Sequence, residues 1–165
     1  MRMSRWLLLV VVLVAVLAAA RWWTSDAQRI GSKLDYLIER IEKSPGEGQL
    51  AAALKAEQLG SLFADPFVFR ARPYDFETRD RQTLIRTVAS YRLRSERIGA
   101  RVLERRLDID GANRRATMTL TARFTGGWRE FGNDALRFQI NWREEHGEWQ
   151  IDFVDLLEIV ARAKR

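Results

Sequence analysis

The sequence predicts an α+β domain, in which about three helices pack on a bent antiparallel sheet, behind an N-terminal transmembrane or signal helix. Three observations predict this architecture: an uncharged apolar run near the N-terminus, stretches with apolar residues at helical spacing, and later stretches in which apolar and polar residues alternate. Most helical stretches precede the alternating ones, an order typical of helices gathered on one face of a sheet. We therefore divide the chain into a membrane anchor or signal segment, 1–23, and a domain, 24–165.

Composition narrows the possible functions. The 165 residues are 47% hydrophobic and 30% charged, which suits one globular domain with an appendage. The absence of cysteine excludes disulfides, thiolate nucleophiles and cysteine-ligated zinc. The formal charge is +6, but Arg2, Arg5 and Arg21 flank the apolar run, and without them 25 basic residues stand against 22 acidic ones. This balance is too weak to favour nucleic acid as a partner.

The uncharged run of residues 6–20 predicts an export or anchor helix, because a backbone in hydrocarbon must satisfy its own hydrogen bonds. With the flanking residues 21–23 such a helix is about 27 Å long, close to the roughly 30 Å core of a bilayer. The alternative is a cleaved signal peptide, since Ala18 and Ala20 form an A-x-A site. The Trp residues at 22 and 23 suit an interfacial belt better than a mature N-terminus, which favours the retained anchor.

Both interpretations place the domain outside the cytoplasm, by the positive-inside rule applied to Arg2 and Arg5. A retained helix would make the chain a single-pass protein of the cell membrane, with the membrane as a partner. Cleavage would leave a secreted or periplasmic domain.

Three helices are expected in the first half of the domain. The first spans about 26–43, the second is rich in alanine and spans 50–63, and the third spans 80–94. The Asp65-Pro66 pair is expected to end the second helix, and residues 67–69 should form a short extended piece. The helices therefore account for one layer of the domain.

Four strands connected as a meander are expected after the helices. In the first, about 100–110, Leu103, Leu107 and Ile109 share a face that Arg105 interrupts; the second covers 116–124. The last two form a hairpin around Gly147. The residues of this hairpin expected on the buried face are Leu136, Phe138, Ile140, Trp142, Trp149, Ile151 and Phe153.

The alternating polar residues form the opposite face of the predicted sheet. This face is either solvated or a subunit interface. Its members on the second and third strands are Thr117, Thr119, Thr121, Arg123, Arg137, Gln139, Asn141 and Arg143.

Two stretches resemble the NTF2-like (SnoaL-like, cystatin-related) superfamily. Residues 59–69, LGSLFADPFVF, resemble its helix-to-strand passage, and residues 141–151, NWREEHGEWQI, resemble its closing hairpin. The resemblance covers about 25–160 and implies a helical layer packed into a cone against a strongly bent sheet, with a homodimer through the sheet face as in many such proteins. A membrane helix before such a domain also resembles the VirB8-like and Mce-associated envelope proteins, which implies an envelope protein partner.

The resemblance also directs attention to the mouth of the cone, where NTF2-like enzymes use Asp, Tyr or His. Candidates of those types are present, but none matches a catalytic position of these enzymes and their spacing assigns no catalytic role, so we name no catalytic residue. They are Asp35, Tyr36, Asp65, Tyr74, Asp75 and Tyr91. For a small apolar ligand inside the cone, the expected contacts are Tyr36, Phe69, Tyr74, Tyr91 and Trp142.

Two further groups of residues stand out. Trp128 and Phe131 lie in a glycine-rich loop, where an exposed aromatic side chain suggests a partner contact or a lid. His146, the only histidine, lies among Glu144, Glu145 and Glu148 in the hairpin turn. We interpret this group as a solvated charge cluster, because one turn rarely supplies converging metal ligands. No metal or cofactor is expected.

The sequence thus supports two functional hypotheses. The first is a membrane-anchored extracytoplasmic domain that acts as a non-catalytic binding or assembly module. The second is an exported small-ligand carrier, or an isomerase-like or dehydratase-like enzyme, with an apolar pocket in the cone.

Overall fold

The computed structural model describes residues 11–14, 25–126 and 134–161. From Ser25 onward it contains three helices and six strands, with a short 3-10 turn at Arg72–Tyr74. The elements in chain order are α1 (Asp26–Ile41), α2 (Gln49–Gly60), β1 (Phe63–Ala71), β2 (Phe76–Thr78), α3 (Arg81–Arg94), β3 (Ile98–Asp110), β4 (Arg115–Gly126), β5 (Ala135–Glu145) and β6 (Glu148–Ala161).

The N-terminal segment lies mostly outside the described residues. Residues 11–14 are helical and their side chains are exposed. Over the ranges that the structure describes, we find no helix with both the length and the apolar character needed to cross a bilayer.

The six strands form one sheet in the order β2-β1-β6-β5-β4-β3. Strands β3 to β6 are an antiparallel meander, as predicted, while β1 runs parallel to β6 and antiparallel to β2. The sheet therefore has two more strands than the alternating pattern predicts. Both come from the region between α2 and α3.

The Asp65-Pro66 pair does not end the second helix. Helix α2 already stops at Gly60, and the pair, joined by a cis peptide bond, lies inside the nine-residue strand β1. The pairing of β1 with β6 shifts register between Phe63 and Val68. Pro66 lies within this interruption, so the backbone N–H that proline lacks is not needed for a hydrogen bond to β6. The expected short piece 67–69 is therefore the end of a longer strand.

One extra residue in β6 changes the face of Phe153. Ile151 is paired with Trp142 but Phe153 with Asn141, so that Asp152 is a bulge and the alternation inverts after it. Phe153 lies on the polar face, with its ring centroid 5.8 Å from the Arg70 guanidinium carbon. Val154 occupies the core position instead, and the prediction for Phe153 was wrong.

A second bulge explains the irregular pattern of β3. Val102 is paired with Ala122 and Glu104 with Thr121, which makes Leu103 the extra residue. Leu103 is accordingly 41% exposed, whereas Leu107 packs against the core. The prediction that Leu103 shares the face of Leu107 was therefore wrong.

The main core lies between α1 and the concave face of the sheet. Ile30 and Leu34 of α1 are fully buried, and so are Trp142 and Ile151 on the sheet. Each such side chain contributes about 1.5–3 kcal/mol of hydrophobic stabilisation relative to exposure. The core prediction for Trp142, Trp149 and Ile151 is confirmed.

The acidic hairpin turn holds the start of α1. The Trp149 indole Nε1 donates to Asp26 Oδ1 at 3.0 Å, and Lys33 Nζ pairs with Glu148 Oε2 at 2.8 Å. Arg29 donates to the carbonyl oxygen of Gly147. The turn therefore contributes docking contacts for α1 as well as a solvated surface, which the interpretation as a solvated cluster missed.

Candidate functional site

Side chains fill the cone at the level of Trp142. The indole lies between Ala116 on β4 and Ile151 on β6 and is fully buried beneath α1. Its Nε1 has no acceptor among the described residues, in contrast to Nε1 of Trp149. Trp142 is thus a core residue whose indole nitrogen, its only polar side-chain atom, makes no hydrogen bond within the described part of the chain.

A second apolar cluster occupies the opposite end of the concave face, near the start of β5. Its buried members are Ala71, Leu136 and Leu156. Around them lie half-buried side chains, most of them aromatic, which we call the mouth cluster: Phe69, Tyr74, Phe76, Phe124, Phe138 and Ile159. Phe69 meets Phe76, and Phe124 meets Phe138, edge to face with centroids 6.1 Å apart. The mouth cluster is therefore a partly exposed surface made mainly of aromatic side chains.

The structure separates the five residues expected to contact a ligand. Tyr36 and Trp142 belong to the main core, and Tyr74 belongs to the mouth cluster. Phe69 packs against both clusters and connects them. Tyr91 is half-buried on α3, outside both clusters. The five therefore do not form one pocket.

Four members of the mouth cluster are not among the five expected ligand contacts: Phe76, Phe124, Phe138 and Ile159. Phe124 and Phe138 stand at core positions of alternating strands, and this pattern alone does not distinguish a pocket lining from ordinary core. Phe76 lies on β2, whose three residues are too few to show alternation. Only the pairing of β2 with the end of β1 brings Phe76 beside Ala71.

The carboxylates considered for catalysis are not buried. Asp35, Asp65 and Asp75 are exposed, so none is desolvated in the way a general base at neutral pH requires. The fully buried carboxylate is Asp155 on β6, and Arg72 Nη2 contacts its Oδ2 at 2.6 Å. Asp155 is therefore engaged in an ion pair. The part of the chain that the structure describes contains no group of three potential metal ligands.

The outer face of the sheet is polar and carries a charge gradient along β3. From its start, β3 presents Arg101, Glu104 and Arg106 on this face, and Asp108 and Asp110 follow at its end. A further cation, Arg123 on β4, stands directly opposite Arg101. Uncharged side chains occupy the centre of the face: Thr117, Thr119, Thr121, Gln139 and Asn141.

The loop that carries Trp128 and Phe131 lies outside the described residues. The described chain on either side ends at Gly126 and resumes at Asp134, and the carbonyl oxygen of Asp134 accepts a hydrogen bond from the Phe124 amide at 3.1 Å. These flanking residues lie at the end of the sheet that holds the mouth cluster.

A polar groove of about 350 Å³ lies where the end of α1 meets α2 and the start of β3. Its floor is the bridge between Lys43 and Ile98, whose backbone groups exchange hydrogen bonds of 2.8 and 3.1 Å. The lining residues are Glu39, Glu42, Lys43, Ser44, Pro45, Lys55, Arg97, Ile98 and Gly99. Sequence reasoning missed this groove, because its walls come from three separate segments of the chain.

No protein-family model and no curated protein matches the chain. Solved structures do match. An NTF2-like protein from Cytophaga hutchinsonii is 16% identical, with a TM-score of 0.63 over 82% of this chain and 100% of that one. A Mycobacterium tuberculosis protein of unknown function is 15% identical, with a TM-score of 0.62 over 85% and 74%. A cystatin-like protein from Nostoc punctiforme is 13% identical, with a TM-score of 0.60 over 79% and 89%.

These similarities confirm the fold that the sequence predicts. The described domain has the NTF2-like, cystatin-like architecture of helices on a bent sheet. At such low identities the likeness concerns the fold alone, since one fold supports many functions.

Proposed function

We propose, with the NTF2-like fold as the premise, that the chain is a membrane-anchored extracytoplasmic protein whose domain is a non-catalytic binding or assembly module. The observation that carries the proposal is the contrast between the two faces of the sheet. The concave face is filled at Trp142, whereas the outer face presents exposed Thr117 and Thr119 among charged side chains. A surface of this kind suits a protein partner better than a small substrate.

The charge gradient on β3 supports a second copy of this chain as one such partner. A two-fold axis between two stacked sheets, perpendicular to the strands, would place β3 antiparallel to its symmetry mate. In a register centred on Leu107, Arg106 of one copy would face Asp108 of the other on both sides of the axis. A parallel arrangement in register would instead place Arg106 against Arg106, so the opposite charges of this pair favour the antiparallel one.

The oligomeric state of the full chain in detergent micelles tests this interface. We expect a dimer, measured by sedimentation or native mass spectrometry. Arg106→Glu should weaken it about tenfold or more, since like charges would face each other. Combining Arg106→Glu with Asp108→Arg should restore dimerisation, and Arg86→Gln on α3 is a control. A monomeric wild-type chain would remove the homodimer and leave an envelope protein as the expected partner.

The anchor is tested separately, on the protein isolated from its own membranes. A retained helix leaves the full 19.2 kDa chain in the membrane fraction after alkaline carbonate extraction. Signal cleavage would instead give a soluble product that has lost residues 1–20. The second result would overturn the anchor but not the interface on the outer face.

The mouth cluster favours a second candidate function, that of a carrier for a small apolar ligand. Half-buried aromatic side chains on a concave face are typical of such sites. Fluorescence titration with 1-anilinonaphthalene-8-sulfonate tests it, and Phe124→Ala and Phe138→Ala should each weaken saturable binding. Tyr36→Phe, outside the cluster, is the control. Binding that neither alanine variant changes would rule out this site.

A further inference from the structure

We propose that the polar groove at the junction of α1, α2 and β3 is a binding site for a small zwitterion, such as a free amino acid or a dipeptide. This inference goes beyond the assembly function and does not depend on the outer face of the sheet. The groove volume of about 350 Å³ falls at the small end of the range found for ligand sites. A ligand of dipeptide size is therefore appropriate.

The groove is preorganised by a buried network of hydrogen bonds. Lys43 is 9% exposed, and its Nζ donates to the carbonyl oxygens of Arg92 and Ser95 at 2.8 and 2.7 Å. Arg92 in turn contacts Glu47, and Lys55 Nζ contacts the second oxygen of Glu47 at 2.8 Å. The loop between α1 and α2 is thus fixed from beneath. Little conformational entropy would be lost when a ligand binds above it.

The exposed wall offers donors for a carboxylate. Arg97 is exposed, and no ion pair of its guanidinium is present among the described residues. Ser44 adds a hydroxyl, and the Lys55 ammonium has donors beyond the one given to Glu47. Because charge-assisted hydrogen bonds are stronger than neutral ones, these groups favour a carboxylate over a neutral polar group.

The same wall carries two carboxylates on the last turn of α1. Glu39 is exposed apart from a contact with Arg40, and Glu42 accepts a hydrogen bond from the Ala100 amide at 3.3 Å. These groups repel a phosphate or another purely anionic ligand and attract an ammonium group. Both signs of charge within one small groove point to a ligand that carries both.

The proposal is tested by titrating the full chain in micelles with glycylglycine and recording ¹⁵N TROSY NMR spectra. We expect saturable shifts of the Ser44, Ile98 and Gly99 amides at millimolar concentrations. Arg97→Gln should weaken binding about tenfold, the value of one hydrogen bond between charged groups. Arg79→Gln, an exposed arginine outside the groove, is the matched control.

An analogue of glycylglycine without the ammonium group tests the contribution of the two carboxylates. N-acetylglycylglycine lacks the ammonium group and should bind more weakly than glycylglycine, and Glu39→Gln should reduce that difference. Unperturbed amides elsewhere in the spectrum establish that each variant is folded. The proposal is overturned if glycylglycine gives no saturable shift, if Arg97→Gln leaves its affinity unchanged, or if inorganic phosphate binds as well.

Discussion

Lys43 and Arg92 cap each other's helices. Lys43, just beyond α1, donates to the carbonyl oxygens of Arg92 and Ser95 at the end of α3. Arg92, at the end of α3, donates to the carbonyl oxygens of Arg40 and Ile41 at 2.6 and 2.7 Å, at the end of α1. Each cation satisfies carbonyls that a helix leaves unpaired and lies at the negative end of the helix dipole. These hydrogen bonds connect the end of α1 to the end of α3 through polar groups.

Removal of either cation should therefore destabilise the domain. We expect Arg92→Met to lower the free energy of unfolding by about 3 kcal/mol, because it leaves partly buried carbonyl oxygens and one oxygen of the Glu47 carboxylate without a partner. Urea titrations followed by circular dichroism measure the change. Arg86→Met, at a side chain 75% exposed on the same helix, should cost less than about 0.5 kcal/mol. Equal losses in the two variants would contradict the capping role.

The network also makes stability depend on pH through Glu47. Burial raises the pKa of Glu47, but hydrogen bonds from Lys55 and Arg92 lower it more, so that its pKa lies below the ordinary value of 4.5. A carboxyl whose pKa is depressed by folding binds fewer protons in the folded state. Its contribution is therefore complete above pH 4.5 and is lost as the pH falls through the folded-state pKa.

We accordingly expect the wild-type chain to lose stability below about pH 4.5 more steeply than Glu47→Gln does. Thermal unfolding at a series of pH values between neutrality and the acid range measures both slopes. The variant should be less stable at neutral pH, and the two curves should converge in acid. Parallel curves would show that Glu47 is not the group responsible.

Trp142 and Trp149 form a matched pair of buried indoles that differ in one hydrogen bond. Both are at most 1% exposed, but Trp149 Nε1 donates to Asp26, and Trp142 Nε1 has no acceptor within the described part of the chain. Substitution by phenylalanine removes the same volume at each position. We therefore expect Trp149→Phe to cost about 1 kcal/mol more than Trp142→Phe, measured by urea titration. A larger loss for Trp142→Phe would show that its Nε1 has a partner in solution.

Gly60 permits the close crossing of α2 and α3. A Cβ atom at Gly60 would lie 2.6 Å from Ile85 Cδ1 and 2.7 Å from Ile85 Cγ1. We expect Gly60→Ala to lower the free energy of unfolding by about 1–3 kcal/mol, although alanine favours helix formation. Ile85→Val removes the Cδ1 atom and should recover part of the loss in the double variant. Gly111→Ala, where no atom lies within 4 Å of the added carbon, is the control.

The local pattern of the chain predicted most elements but not their bulges. Alternation identified the β5–β6 hairpin and its turn, where Gly147 has a φ of +81°. It also placed Phe153 on the wrong face, since the extra residue Asp152 inverts the alternation from Phe153 to Leu156, before the register shifts again. A bulge relieves a mismatch between neighbouring strands, and that mismatch is not visible in either strand alone.

The candidate sites depend still more on distant segments. Phe69 and Tyr74, two of the five residues expected to contact a ligand, belong to the mouth cluster. Phe76 lies beside them only because β2 pairs with β1. The groove is made by three segments, and the Lys43 to Arg92 contact joins positions 49 residues apart. The short-range periodicity of the sequence cannot predict contacts between residues so far apart in the chain.

Local sequence patterns predicted the α+β class, the four-strand meander and the helix starts, such as Asp80, whose carboxylate accepts from the amides of Gln82 and Thr83. These features follow from side-chain period and capping, which act within a few residues. Three other features come from contacts between distant segments: the parallel pairing of β1 with β6, the filling of the cone at Trp142 and the reciprocal caps of Lys43 and Arg92. These features depend on which groups from distant parts of the chain come into contact, because a buried group is stabilised only by the partner that packs or hydrogen-bonds with it.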